Sequence, residues 1–258
     1  MSWHPGTDLH SCAQIVEKGD PERFAAAMAA PVEARAVLMP LYAFNVEVAR
    51  APWVTQEPMI ARMRLQWWLD ALDEIEAGGF VRRHEVVTPL AQGLAGVDLS
   101  GLRAAVDARE MDLERAPFAD EAALMAYLDA TAGELALAGV AALGVGPQHR
   151  GAVLAHARAA ALARYLQAVP ELEARGKLPL PDGRPEALAA LAQARLAELR
   201  GQPGLRGLRR QLGVAGAALR EFAQARSLLE IVARDPAAVA EGRVTLSEFQ
   251  RRWRLLTS

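Results

Sequence analysis

The sequence predicts an all-α fold, and two observations carry that prediction. Strand signals are nearly missing, because no β-branched run alternates with period two. Alanine and leucine dominate at helical spacing, punctuated by prolines and glycines placed where helices start and stop. Hydrophobic residues make up 52% of the 258, enough to bury a sizeable core.

The elements follow in order. Asp20-Pro21 is a start signal, with Asp as N-cap and Pro in the first helical position, for a helix to about Ala30. Pro31 opens the next, through Ala34, Val37, Leu38 and Leu41 to Val48. Pro40 predicts a kink in it, and Pro52 ends it by restricting the residue before. Thr55 and Pro58 begin a helix over 59–77. It places Ile60, Met63, Trp67 and Leu72 roughly on one face and stops at Gly78-Gly79. Asp98 or Ser100 caps a helix to Arg115. Asp120 caps the longest apolar helix, to Leu143, before Gly144 and Gly146. A helix from about Gln148 to Val169 is closed by Pro170. Residues 179–185, with three prolines and a glycine, read as a loop. Helices over 185–200 and 205–234 and a terminal one after Thr245 complete the chain. There is no repeat of fixed period and no convincing boundary, so residues 1–258 read as a single domain.

The formal net charge of −2 gives no electrostatic footprint for nucleic acid. The lone cysteine, Cys12, excludes an intrachain disulfide and suits a reducing compartment. Only Lys18 and Lys177 are lysines; all other basic residues in this alanine-rich chain are arginine or histidine, a bias that reads as GC-rich bacterial coding. Residues 1–20 have no apolar core of a secretory signal and are not an Arg/Ser-rich transit peptide. The longest apolar stretch, 135–145, is about half of the ~20 residues a span needs. These features predict a cytoplasmic protein, at most peripheral to the inner membrane.

His4, His10, His84, His149 and His156 lack HxxxH or HExxH spacing, which leaves no zinc signature. No dinucleotide fingerprint or P-loop is present. Asp70, Asp73 and Glu74 share one helix face. Such a face can hold Mg2+ at a diphosphate, or can simply be solvated. Asp107 and Asp112 lie roughly 140° apart on a helix, so they need other helices to share an ion. Of the pair Trp67-Trp68, one ring faces inward and the other is displaced by roughly 100°. That arrangement suits core packing or the lining of an apolar cavity.

Four segments in order resemble the squalene/phytoene synthase superfamily. They are Leu41-Tyr42-Ala43-Phe44, the helix Arg64-Leu65-Gln66-Trp67-Trp68-Leu69-Asp70-Ala71-Leu72, Met111-Asp112-Leu113, and Gly176-Lys177-Leu178-Pro179-Leu180-Pro181. The resemblance implies a helical isoprenoid-synthase fold. It also implies two aspartate motifs that bind Mg2+, and carried onto this chain their aspartates fall at Ala49, Trp53, Ala168 and Leu172. Ionising an allylic diphosphate requires Mg2+ held by carboxylates, and none of these four side chains supplies one.

The segment Ala43-Phe44-Asn45-Val46-Glu47-Val48-Ala49 instead is similar to the branch that contains a mitochondrial assembly factor for respiratory complex I. That likeness implies a protein without metal or cofactor that assists assembly of a membrane respiratory complex, with complex I subunits as partners. Asn45, Glu47, Arg50, Arg64, Trp67 and Trp68 are then the candidate cavity residues. Two alternatives remain at this point. One is a Mg2+-dependent prenyltransferase joining two prenyl diphosphates, with Asp70, Asp73, Asp107 and Asp112 as displaced ligands. The other is a module that binds a lipid or isoprenoid without catalysis, unless Trp53 and Leu172 fill its cavity. At the C-terminus, Arg251-Arg252-Trp253-Arg254 suits either an anionic membrane or packing of Trp253 on the body.

Overall fold

The computed structural model describes residues 6–257. It is built from helices, with no strand among the described residues. The sequence reading assigned no element before Asp20, yet α1 (Asp8–Gly19) forms there, with the Thr7 side chain accepting from the His10 amide. In α2 (Pro21–Met28) the Asp20 carboxylate accepts from the Arg23 amide at 2.9 Å, as the Asp-Pro signal predicts.

α3 (Val32–Arg50) runs through Pro40, and every residue from Leu38 to Phe44 is buried. A helix apolar all round is a central helix, and α3 packs on α1, α5 (Val87–Gly93) and α8 (Glu134–Ala142). A 3-10 turn, Ala51–Trp53, ends it at Pro52.

α4 (Pro58–Ala77) stops at Gly78, whose φ of 67° is the left-handed conformation that glycine adopts at no steric cost. Its inward face is Ala61, Leu65, Trp68 and Leu72, one stripe at helical spacing. Ile60 and Met63 turn outward instead, at 44% and 65% exposed, and Trp67 is half-buried. The apolar face read from sequence is therefore rotated from the one the core uses.

α6 (Ser100–Ala108) passes into a 3-10 turn, Arg109–Leu113. The long apolar helix comes next, as α7 (Glu121–Leu128), a π turn (Asp129–Gly133) and α8. Asp120 caps it by accepting from the Ala123 amide. By length and composition the 22-residue helix Glu121–Ala142 could cross a membrane, which corrects the sequence estimate. Counting unbroken apolar residues missed it because Asp129 and Glu134 interrupt the run. Within this fold it is a core helix, with 61% of its apolar window buried.

α9 (Arg150–Ala174) continues past Pro170, where the sequence reading stopped it. Proline removes one amide donor there, and the helix runs on for about one further turn to Ala174. Its buried alanines, among them Ala157, Ala160 and Ala163, are small enough to let neighbouring helices approach. α10 (Pro185–Arg200) matches the expectation after an irregular segment. The expected helix over 205–234 is broken into α11 (Leu205–Leu212), a 3-10 stretch (Gly213–Phe222) and α12 (Ala225–Arg234). The break serves a tight return of the chain: a Cβ on Gly216 would collide with the Arg209 carbonyl. α13 (Glu248–Thr257) ends the described chain. One cluster of buried apolar side chains runs from Leu9 to Val244.

Candidate functional site

A cavity of about 840 Å3 opens between α1, α3 and α9. Asn45, Ala49 and Trp53 face it from the end of α3 and the turn beyond. Tyr165, Ala168 and Leu172 face it from α9, at spacings that keep them on one helix face, and Arg175 faces it from the residue that caps α9. All four positions where the resemblance implies aspartates (Ala49, Trp53, Ala168 and Leu172) thus line one space, from two different helices. Trp53 and Leu172 do not fill it.

Asp20 and Arg23 line the floor of this cavity and belong to a buried ion network. The Glu221 side chain is only 1% exposed, and its Oε2 accepts from Arg23 Nε at 2.5 Å and from Arg164 Nη1 at 2.8 Å. Arg23 also pairs with Asp20 at 2.9 Å and lies over the Tyr42 ring. Burial disfavours the Arg23 charge, but Glu221 and Asp20 outweigh it and raise its pKa. Burial works likewise against the Asp20 carboxylate, yet Arg23 and Arg164 hold it below its ordinary value. The Tyr42 hydroxyl is pushed well up, by burial first and by Glu221 second.

A second cluster sits beside it. The Tyr127 hydroxyl donates to Asp112 Oδ1 at 2.8 Å and accepts from Arg109 Nη1 at 2.8 Å. Arg109 Nε is buried without a hydrogen-bond partner. Burial is also the main reason the pKa of Tyr127 and of Tyr165 is raised, so both stay protonated; the Tyr165 hydroxyl donates to the Pro179 carbonyl at 2.7 Å.

The rim is looser. Arg175 and Lys177 lie over the Trp53 ring, 5.0 and 5.1 Å from its centroid. Lys177 Nζ donates to the backbone carbonyls of Asp112 and Glu114, which ties the Gly176–Lys177 segment to the 3-10 turn after α6. Partial burial lowers the Lys177 pKa, against the pull of Asp112 and Glu114. Arg175 pairs with Glu171 at 2.5 Å.

The six candidate cavity residues do not form one site. Asn45 and Arg50 line the cavity. Glu47, Arg64, Trp67 and Trp68 line a separate groove of about 470 Å3, which Arg50 also borders. Glu47 pairs with Arg50 at 3.1 Å. Trp68 packs edge-on against Phe44 in the core, while Trp67 lies under Arg82. One tryptophan is inside and its neighbour is displaced, because consecutive helical residues diverge by roughly 100°.

Nor does the structure bring Asp70, Asp73, Asp107 and Asp112 together. Asp70 accepts from Gln66, Asp73 pairs with Arg103, and Asp107 borders a third groove with Glu110. Only Asp112 reaches the cavity, and it is engaged by Arg109 and Tyr127. Among the described residues no three His, Cys, Asp or Glu side chains are grouped so as to hold a metal ion.

Sequence reasoning missed the floor. Its one available signal was Glu221, the single acid of the stretch 213–222, which apart from it and Arg220 is apolar or glycine. A further hollow of about 760 Å3 beside α6 and α8 was also missed. There Asp129 and Glu134 are already paired, with Arg158 and Arg150.

Comparison with known proteins adds to this geometry. Residues 16–254 match the family described as squalene/phytoene synthase. Human NADH dehydrogenase (ubiquinone) complex I, assembly factor 6 is 28% identical over 179 residues, which cover 68% of this chain and 53% of the human protein. Its Drosophila melanogaster homologue is 41% identical over 70 residues, or 27% of this chain and 21% of the fly protein. The chain thus spans about half the length, or less, of the curated relatives it matches. A dehydrosqualene synthase crystal structure superposes with a TM-score of 0.76 at 15% identity, covering 96% of this chain and 94% of that one. A squalene synthase from Alicyclobacillus acidocaldarius gives 0.68 at 14%, covering 91% and 94%. At such identities the two structures speak for the fold alone.

Proposed function

This chain belongs to the squalene/phytoene synthase family, and from that premise we propose that it works without the family's metal chemistry, as a factor in the assembly of a respiratory complex I. One observation carries the reading. Ala49, Trp53, Ala168 and Leu172 face a common cavity from two helices, at the positions the family resemblance gives to carboxylates. An Mg2+ ion there would meet a methyl group, an indole and an isobutyl chain, none of which is an oxygen ligand. The only nearby acid on the α9 wall, Glu171, is paired with Arg175. The partner class comes from the assembly factors to which the chain is similar.

Two measurements test this. The purified chain is incubated with Mg2+ and farnesyl or geranylgeranyl diphosphate, and released diphosphate is assayed; none above a heat-killed control is expected. Cells lacking the gene are then examined for assembled complex I and for NADH oxidation, both expected to fall. Metal-dependent release would overturn the first half of the proposal, and unchanged complex I the second.

The persistence of the cavity favours a second reading, a bound lipid or isoprenoid without turnover. Its volume of about 840 Å3 lies within the range of small-molecule pockets.

A further inference from the structure

Among the described residues α13 differs from every other α-helix in burying none of its residues. The sequence left open whether Trp253 packs on the body, and it does not: Phe249, Trp253 and Leu256 are 74%, 56% and 75% exposed. Spaced i, i+4 and i+7, they form one apolar stripe, and the two rings stack at 6.2 Å between centroids. Arg252 flanks the stripe and is held by Glu248 at 2.5 Å. Arg251 and Arg254 lie on the opposite side, exposed, and no ion pair among the described residues engages them. The helix thus sets three arginines against one glutamate, within a chain whose net charge is −2.

A phenylalanine and a tryptophan held together in water on an ordered helix need a cover. Charge decides which kind. A purely apolar protein groove would gain nothing from the arginines, whereas anionic headgroups complement them. A helix with an aromatic stripe and an arginine-bearing polar face is the arrangement that lies in a membrane interface. A helix with its side chains is about 10–12 Å across, so even arginines on the far side stand close to one screening length from the surface.

We propose that α13 is an interfacial anchor. It lays Phe249, Trp253 and Leu256 into the headgroup boundary of a bilayer rich in anionic lipid, with Arg251, Arg252 and Arg254 drawn to the phosphates. The Glu121–Ala142 helix has no part in this, being committed to the core.

The test is cosedimentation of the full chain with vesicles of phosphatidylcholine, with and without phosphatidylglycerol. Binding is expected only with phosphatidylglycerol and is expected to weaken as salt is raised. Arg251→Glu with Arg252→Glu should reduce partitioning by on the order of tenfold or more. Phe249→Ser with Trp253→Ser should abolish it, while the melting temperature stays that of the parent because both side chains are exposed. No sedimentation with anionic vesicles overturns the proposal, as does binding that survives both double variants. So does light scattering that shows α13 holding two copies of the chain together while vesicles are ignored. No client protein enters the assay, so its outcome is independent of the assembly reading.

Discussion

The floor and the rim of the cavity are both charged, but they are built on different physical terms. On the floor, the Glu221 side chain is almost entirely removed from water and answered by two guanidinium groups. At the rim, Arg175 is 46% and Glu171 69% exposed, and the cations rest on the face of Trp53. A buried charge is costly unless every partner is in place, whereas an exposed pair contributes little. The difference teaches that the cavity has a fixed base and an adjustable mouth. Charge chemistry at the base supports the fold, whereas the mouth is bordered by side chains that remain partly in solvent.

That contrast can be broken most sharply at the floor. Glu221→Gln leaves Arg164 without its carboxylate and Arg23 with Asp20 alone, and should cost about 3–5 kcal/mol, read as a lower urea midpoint. Restoring the carboxylates tests the walls between. Ala49→Asp, Trp53→Asp, Ala168→Asp and Leu172→Asp together should create a site for Mg2+, visible as a metal-dependent thermal shift absent from the parent. At a hundredfold excess over the dissociation constant the gain is about 2.7 kcal/mol.

The buried side of the molecule also retains protons. Burial pushes the Cys12 thiol up to about 12, from an ordinary value of 9.0. The folded chain therefore keeps a proton that the unfolded chain releases. This stability is complete below pH 9 and is lost as pH rises from there toward 12. One pH unit into that window, the loss from this group is about 1.4 kcal/mol. Denaturation curves at neutral and alkaline pH measure it, and a thiol reagent should label Cys12 only after unfolding. The smallest effect belongs to the rim: Trp53→Ala should cost about 0.5–1 kcal/mol for each cation it releases and leave cooperative unfolding intact.

Much of the fold was legible where a local rule governs it. Asp20-Pro21, Asp120 and Gly78 mark helix ends because capping is settled within a few residues. The family likeness in Leu41–Phe44 and in the Trp67-Trp68 helix led to the right architecture. What stayed hidden depends on distant partners. Arg23 and Glu221 are 198 residues apart, and ionic pairing leaves no periodicity to find. The outward turn of Ile60 and Met63 was equally invisible, since only the packed neighbours decide which apolar stripe of α4 faces the core. The cavity was half legible: its missing carboxylates could be placed by motif and Arg109 lies beside Met111-Asp112-Leu113, but Tyr127 and Tyr165 fall outside every segment that carries the resemblance.

Trp53 is roofed by one of only two lysines in the chain, and the other, Lys18, borders the same cavity from α1. Apart from the backbone amino group, then, every primary amine of this protein stands at a single opening. At their side-chain targets, acylating reagents and amine-directed crosslinkers would report on that mouth and pass over the arginines elsewhere on the surface. A client captured through either lysine would have stood beside that mouth.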